Sequence, residues 1–392
     1  MEREGIGLTP ALKKGGVYAS EVVKLLKPHE AAVEILHVNG GGHKDYYALV
    51  IIQGWKSPKV IVMGNSTEMT ELLSDESTDL PAKINKVYAI DSRTYQLCWE
   101  GVQKVLPPTV KTVYLSAAGV YEGLSFAAIS GAAGKRVGDT YQIRYVVSTS
   151  EIAEKTLMPS KTITSRSALL LGNVLYSCPE SPGQLPGRCR LTGPHVDSLI
   201  KKAKAKSTLL HQSAATENSL AGLDLRSYDI IHFATHGDFT NRTPDDLKFS
   251  RRLTIYQNSE AFLRLAASDC AKKVIKEKSE DGILTATEIT SYMDLNAELV
   301  VLSACNSAIG TSQGSEGMFG LFRAFKSAGV KKVIATLWEV DDKRTAEFMK
   351  YFYTNLFKPS ATVESAFETT QLFVRKSLGW TPYEYGGLVL LN

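Results

Sequence analysis

The chain has 392 residues, enough for about two or three domains of ordinary size. It is 44% hydrophobic and 22% charged, which supports a packed core and excludes global disorder. Its 45 basic and 41 acidic residues leave a net charge of +4, too even a balance to require a nucleic-acid partner. Residues 1–16 read as a tail without the apolar stretch of a secretory signal, and no run of about 18 apolar residues suggests a membrane span. The segment 17–27 has the spacing of an amphipathic helix and stops at Pro28. Two strands are predicted at 31–38 and 46–53, with the glycines at 40–42 forming a hairpin turn between them. A third strand follows at 58–64, and 65–108 is mainly helical and polar. Strands at 111–116, 124–129 and 141–148 complete a first α/β unit.

A polar segment, 150–165, crosses to a second unit. There 168–173 is a buried strand, 177–190 is a Pro/Gly-rich loop, and 194–206 is a helix whose KKAKAK run is a solvated face. Strands at 229–237, 297–307 and 331–338 alternate with helices at 315–328 and 343–357, and 238–282 is one long polar excursion. Apolar strands alternating with helices predict an α/β fold: a mostly parallel sheet flanked by helices. The expected units are 1–160 and 161–392. No repeat of 20–50 residues is visible.

Ligands of parallel α/β sheets bind at the carboxyl ends of the strands. Two strands here end in reactive residues, His236 with Gly237 and Cys305 with Asn306. A free thiol, with a pKa near ~8.5, is mostly unreactive at neutral pH, and an adjacent imidazole can take its proton or hold the thiolate. An attacked carbonyl develops negative charge and needs backbone N–H donors. Gly237 lacks a Cβ, so its amide can approach a ligand closely, and the amide of Cys305 is the second donor. His232 is expected to be a core histidine, because four residues of strand separate it from His236 by about 13 Å, too far to share a metal. No metal and no cofactor are expected. The five cysteines, Cys98, Cys178, Cys189, Cys270 and Cys305, include no CxxC pair, and a reducing cytoplasm fits them best. The run GAAGKR at 131–136 lacks phosphate-loop spacing, and no GxSxG elbow is present.

The strings HFATHG (232–237) and LSACNS (302–307), with the run from Gly314 to Tyr353, resemble the CHAT domain family. These are bacterial caspase-like peptidases related to separase and the caspases, usually attached to tetratricopeptide repeats. The segments 113–129, 168–173, 185–188, 281–289 and 380–392 also fall where the family has them, so the resemblance covers about residues 17–392. It implies a cysteine endopeptidase with Cys305 as nucleophile and His236 as general base or ion-pair partner. The amides of Gly237 and Cys305 would form the oxyanion hole. The first unit would be a degenerate caspase-like subdomain without a His–Cys pair.

The resemblance also implies a specificity pocket near LWEVDD (337–342). Trp338 would be its wall, Glu339, Asp341 and Asp342 its negative charge, and Arg or Lys its preferred occupant. Asp342 is equally placed to cap the next helix. The implied partners are a protein substrate and an activating protein, such as one carrying tetratricopeptide repeats, with no nucleic acid and no membrane. The stretch 261–270 departs from the glycine-rich segment of many relatives, and such loops suit a latent enzyme. The alternatives are a catalytically silent scaffold and a small-molecule hydrolase with an enclosed pocket.

Overall fold

The computed structural model describes residues 18–40, 43–73, 79–131, 134–154, 162–163, 167–176, 198, 206–240, 260–266, 282–303 and 315–392. Helix α1 (Ala19–Leu25) opens with the Tyr18 amide donating to Glu21 Oε2, and its Val22 packs with Leu26, Ala32 and Ile51. Strands β1 (Glu30–Gly40) and β2 (His43–Ile52) form the antiparallel hairpin that the glycines predict, with Ala31 opposite Ile52 and Gly40 opposite His43. β3 (Lys59–Val62) extends that edge. Four short helices follow: α2 (Ser66–Leu73), α3 (Leu80–Val87), α4 (Thr94–Cys98) and α5 (Glu100–Val105). β4 (Thr112–Ser116) then lies parallel to β1.

The strand expected at 124–129 is absent: Phe126–Ala128 is a turn of 3-10 helix. The reason is local hydrogen bonding. The Ser125 amide donates to the Tyr88 hydroxyl and the Phe126 amide to the Tyr145 hydroxyl, both at 2.8 Å, so these N–H groups serve phenols and not a neighbouring strand. Helix α6 (Val137–Thr140), β5 (Gln142–Tyr145) and α7 (Glu151–Glu154) complete the first half.

The second half begins with β6 (Ser167–Val174) and β7 (Lys206–Gln212), which pair in parallel. The helix expected at 194–206 therefore meets a strand at Lys206, and apart from residue 198 the remainder of that segment lies outside the described residues. Then come α8 (Glu217–Ala221), β8 (Ile230–Ala234), β9 (Gly237–Thr240), β10 (Glu260–Arg264), β11 (Ile283–Thr285), α9 (Ala286–Tyr292) and β12 (Leu299–Leu302). The excursion at 238–282 is not all loop, because β10 pairs antiparallel with both β9 and β11 in a small three-stranded sheet. The chain closes with α10 (Ser315–Ser327), β13 (Lys332–Thr336), α11 (Asp342–Leu356), α12 (Val363–Lys376), α13 (Pro382–Gly386) and β14 (Leu388–Leu391).

The large sheet has eleven strands in the order β3-β2-β1-β4-β5-β14-β13-β12-β8-β6-β7. Its pairings are parallel except in the β1–β2–β3 hairpins and between β13 and β14. β14 is parallel to β5 on one side and antiparallel to β13 on the other, so the parallel strands of the two halves run in opposite directions. One continuous apolar cluster includes Val33 and Leu115 of the first half and Phe233, Val300 and Phe348 of the second. No described helix is long and apolar enough to cross a membrane.

Candidate functional site

Every residue of β8 and β12 is buried, as expected for strands covered on both faces. The two are neighbours and run parallel, from Leu299 beside Ile230 to Leu302 beside Phe233. The Ser303 amide donates to the Phe233 carbonyl at 2.9 Å and continues that register by one residue. Both strands therefore leave the sheet at the same carboxyl edge, where open α/β sheets hold their ligands. His236 follows β8 by two residues. Cys305 follows Ser303 by two residues and lies outside the described residues.

The backbone at His236 is fixed by a closed circuit of hydrogen bonds. Its amide donates to the Tyr176 hydroxyl at 3.1 Å, and its carbonyl accepts from the Arg264 amide at 2.7 Å. The Thr235 hydroxyl donates to the Arg264 carbonyl. Its proton is thereby committed, so in the 2.9 Å contact between Tyr176 and Thr235 the phenol is the donor. Tyr176 and Thr235 are both buried, whereas His236 is half-buried, with its ring 4.9 Å from that of Tyr176. A half-buried imidazole on a locked backbone, at the edge where two strands end, can accept and return a proton. Tyr176 was not singled out from sequence. It lies just past the end of β6, and no spacing ties it to a histidine 60 residues away.

Gly237 is half-buried and opens β9 opposite Leu263. His232 is a core histidine, as expected. It is 1% exposed, with Nδ1 at 3.0 Å from the Tyr353 hydroxyl and Nε2 at 2.9 Å from Ser303 Oγ. Burial lowers its pKa to about 3, so the ring stays neutral and ties the end of β12 to α11. Among the described residues no group of three His, Cys, Asp or Glu side chains is placed to hold a metal.

The expected specificity residues divide. Trp338 is fully enclosed: its Nε1 donates to the Tyr383 carbonyl at 3.0 Å and its ring lies 5.8 Å from that of Tyr88. A Cβ at Gly387 would sit 2.9 Å from Nε1, so the backbone itself closes that side. The indole offers no surface to a ligand, which corrects its expected role as a pocket wall. Asp341, and not Asp342, caps α11, with Oδ1 accepting from the Lys343 amide at 3.0 Å and the Arg344 amide at 3.2 Å. Asp342 is the first helical residue, and Glu339 is half-buried.

The CHAT domain family model matches residues 92–384. Curated proteins yield no sequence match. Among solved structures, a chain of the Saccharomyces cerevisiae separase–securin complex aligns with a TM-score of 0.55 at 11% identity, covering 95% of this chain and 30% of that one. The chain thus spans under a third of that relative. The Arg-specific cysteine proteinase gingipain R aligns with a TM-score of 0.42 at 10% identity, over 82% of this chain and 69% of its own. At such identities the separase likeness shows the fold alone. With more than half of its length matched by the family model, and a mostly parallel caspase-like sheet to carry it, the chain belongs to the CHAT domain family.

Proposed function

We propose that the chain is a cysteine endopeptidase that uses His236 and Cys305. The observation that supports this most directly is the parallel adjacency of β8 and β12, whose continuations carry the two residues from one edge of one sheet. The imidazole takes the Cys305 proton, and the thiolate attacks the scissile carbonyl. The amides of Gly237 and Cys305 receive the developing oxyanion. The imidazolium then gives its proton to the leaving amine, and water releases the acyl group from sulfur by the reverse sequence. Tyr176 is a positioning residue in this scheme, acting through the backbone of His236.

The residue before the cut is proposed to be Arg or Lys. Glu339, Asp341 and Asp342 supply the negative charge, without Trp338. Both caps of α11 use Asp341 Oδ1, which leaves Oδ2 to meet a cation. An activating partner carrying tetratricopeptide repeats fits a latent form of such an enzyme.

The test is labelling by a peptide warhead ending in Arg, read by mass spectrometry. The expected adduct sits on Cys305 and disappears in Cys305→Ala. An adduct on another residue, or none after exposure to candidate activators, rejects the peptidase and leaves a scaffold.

A further inference from the structure

A groove of about 840 Å3 crosses one face of the sheet where its two halves meet. Its floor is built from alternate residues of three strands: Glu30 of β1, Thr112 and Tyr114 of β4, and Gln142 and Arg144 of β5. The intervening positions, such as Ala31, Val113 and Leu115, point into the core and are fully buried. Lys331 and Lys332 at the start of β13, Glu364 of α12 and Asn392 after β14 line the groove from the second half. None of these residues belongs to the edge at His236.

The lining carries five cations, Lys27, Lys111, Arg144, Lys331 and Lys332, and three carboxylates, Glu30, Asp139 and Glu364. Glu30 and Asp139 are already answered, and Glu364 meets Lys332 through Oε1. Glu30 holds Lys27 at 3.6 Å and the Tyr114 hydroxyl at 3.2 Å. Asp139 holds Arg375 at 2.7 Å and Lys376 at 3.2 Å. Lys332 lies 3.6 Å from Glu364 and 2.8 Å from Glu298. Two cations, Lys111 and Lys331, have no carboxylate partner among the described residues. Lys111 has no ion pair among the described residues, and Lys331 meets only the Asn296 amide oxygen, at 3.3 Å. Arg144 lies over the Tyr114 ring, 5.9 Å from its centroid, with Glu368 as the carboxylate in its field.

Two donors in the groove also lack an acceptor. Arg144 Nε and Asn392 Nδ2 are buried without a hydrogen-bond partner among the described residues, and Asn392 is only 8% exposed. A buried N–H left unmatched costs free energy unless something accepts from it. We infer that the groove binds a small polyanion, whose phosphate or carboxylate oxygens accept from Arg144 and Asn392 and face Lys111 and Lys331. A volume of this size holds a molecule as large as a nucleotide. The bound anion would hold β5 of the first half to β13 of the second.

The test is calorimetric titration of the full chain with pyrophosphate, ATP and citrate in about 150 mM salt, with sulfate as the control for bulk screening. Expected is saturable binding of at least one probe with a raised Tm. Binding should weaken about tenfold or more in a Lys111→Glu, Lys331→Glu variant and in Arg144→Gln. Binding of pyrophosphate or ATP without citrate identifies a phosphate ligand, and the reverse identifies a carboxylate. Either outcome supports the inference. No saturable binding of any probe overturns it, and so does binding unchanged in the variants. If Arg144→Gln does not fold, the lysine variant decides alone, since Lys111 is exposed and Lys331 is only half-buried.

Discussion

At the residue scale, two buried polar side chains hold the ends of the proposed catalytic strands, and each gives a distinct measurement. The His232 ring stays neutral in the fold down to about 3, whereas the unfolded ring takes a proton near 6.5. Its contribution is therefore fully present above about 6.5 and is lost as pH falls from there toward 3. His232→Gln keeps a polar side chain and removes the titration. Between pH 6.5 and 5 the unfolding free energy of the parent should fall more steeply than that of the variant, the difference in slope approaching about 1.4 kcal/mol per pH unit near pH 5. Parallel slopes would mean that the ring is protonated in the fold.

Tyr176→Phe removes the hydroxyl that accepts from the His236 amide and donates to Thr235. The lost bonds should cost about 1–3 kcal/mol in denaturant titration. The freed backbone should slow warhead labelling by roughly tenfold with little change in substrate affinity. Destabilisation with an unchanged labelling rate would make Tyr176 a packing residue only. Sequence alone can nominate His236 and Gly237, because a histidine and a glycine follow an apolar run. It does not nominate Tyr176, whose partners come from other strands.

Elements were legible where the local chain decides them. The β1–β2 hairpin follows from two apolar runs and a glycine cluster, and α11 from a helical run with acidic residues at its start. Misreadings occur where tertiary bonds override local pattern. Residues 124–129 have the composition of a strand, but two distant phenols claim the amides. The cap of α11 shifts by one residue because Asp341 reaches both first-turn amides. Helix α12, unassigned from sequence, starts at a Thr362 whose hydroxyl accepts from the Ser365 amide at 3.2 Å.

The junction between α10 and β13 shows how strictly one position is held. Gly329 has φ +106, and a Cβ there would lie 2.2 Å from the Leu295 carbonyl oxygen. Gly329→Ala should cost about 2 kcal/mol or more in unfolding free energy, through the positive φ and the clash together. Wild-type stability in that variant would show that the turn can be rebuilt. Lys332, the first residue of β13, is 2% exposed between Glu298 and Glu364. Lys332→Met leaves the buried Glu364 and the half-buried Glu298 without their shared cation and should destabilise by roughly 3–5 kcal/mol.

At the scale of the whole molecule, sequence suggests two units, and the expected boundary at 160/161 lies outside the described residues. The apolar cluster nevertheless runs from β1 to β14 without a break. β14, the last strand, is wedged between the halves, with the Asn392 amide donating to the Tyr145 carbonyl at 2.8 Å and Leu391 beside both Tyr145 and Val333. Neither half can lose its sheet without exposing this strand. Such opposed halves joined by the final strand leave no trace in local periodicity, because register between distant strands is set by packing and not by spacing. The consequence is cooperative unfolding. Native-state hydrogen exchange in rising urea should bring the β4 amides of the first half and the β12 amides of the second to one common opening free energy. Two separate limits, with β4 opening while β12 stays protected, would mean that the halves are independent folding units and that β14 only bridges them.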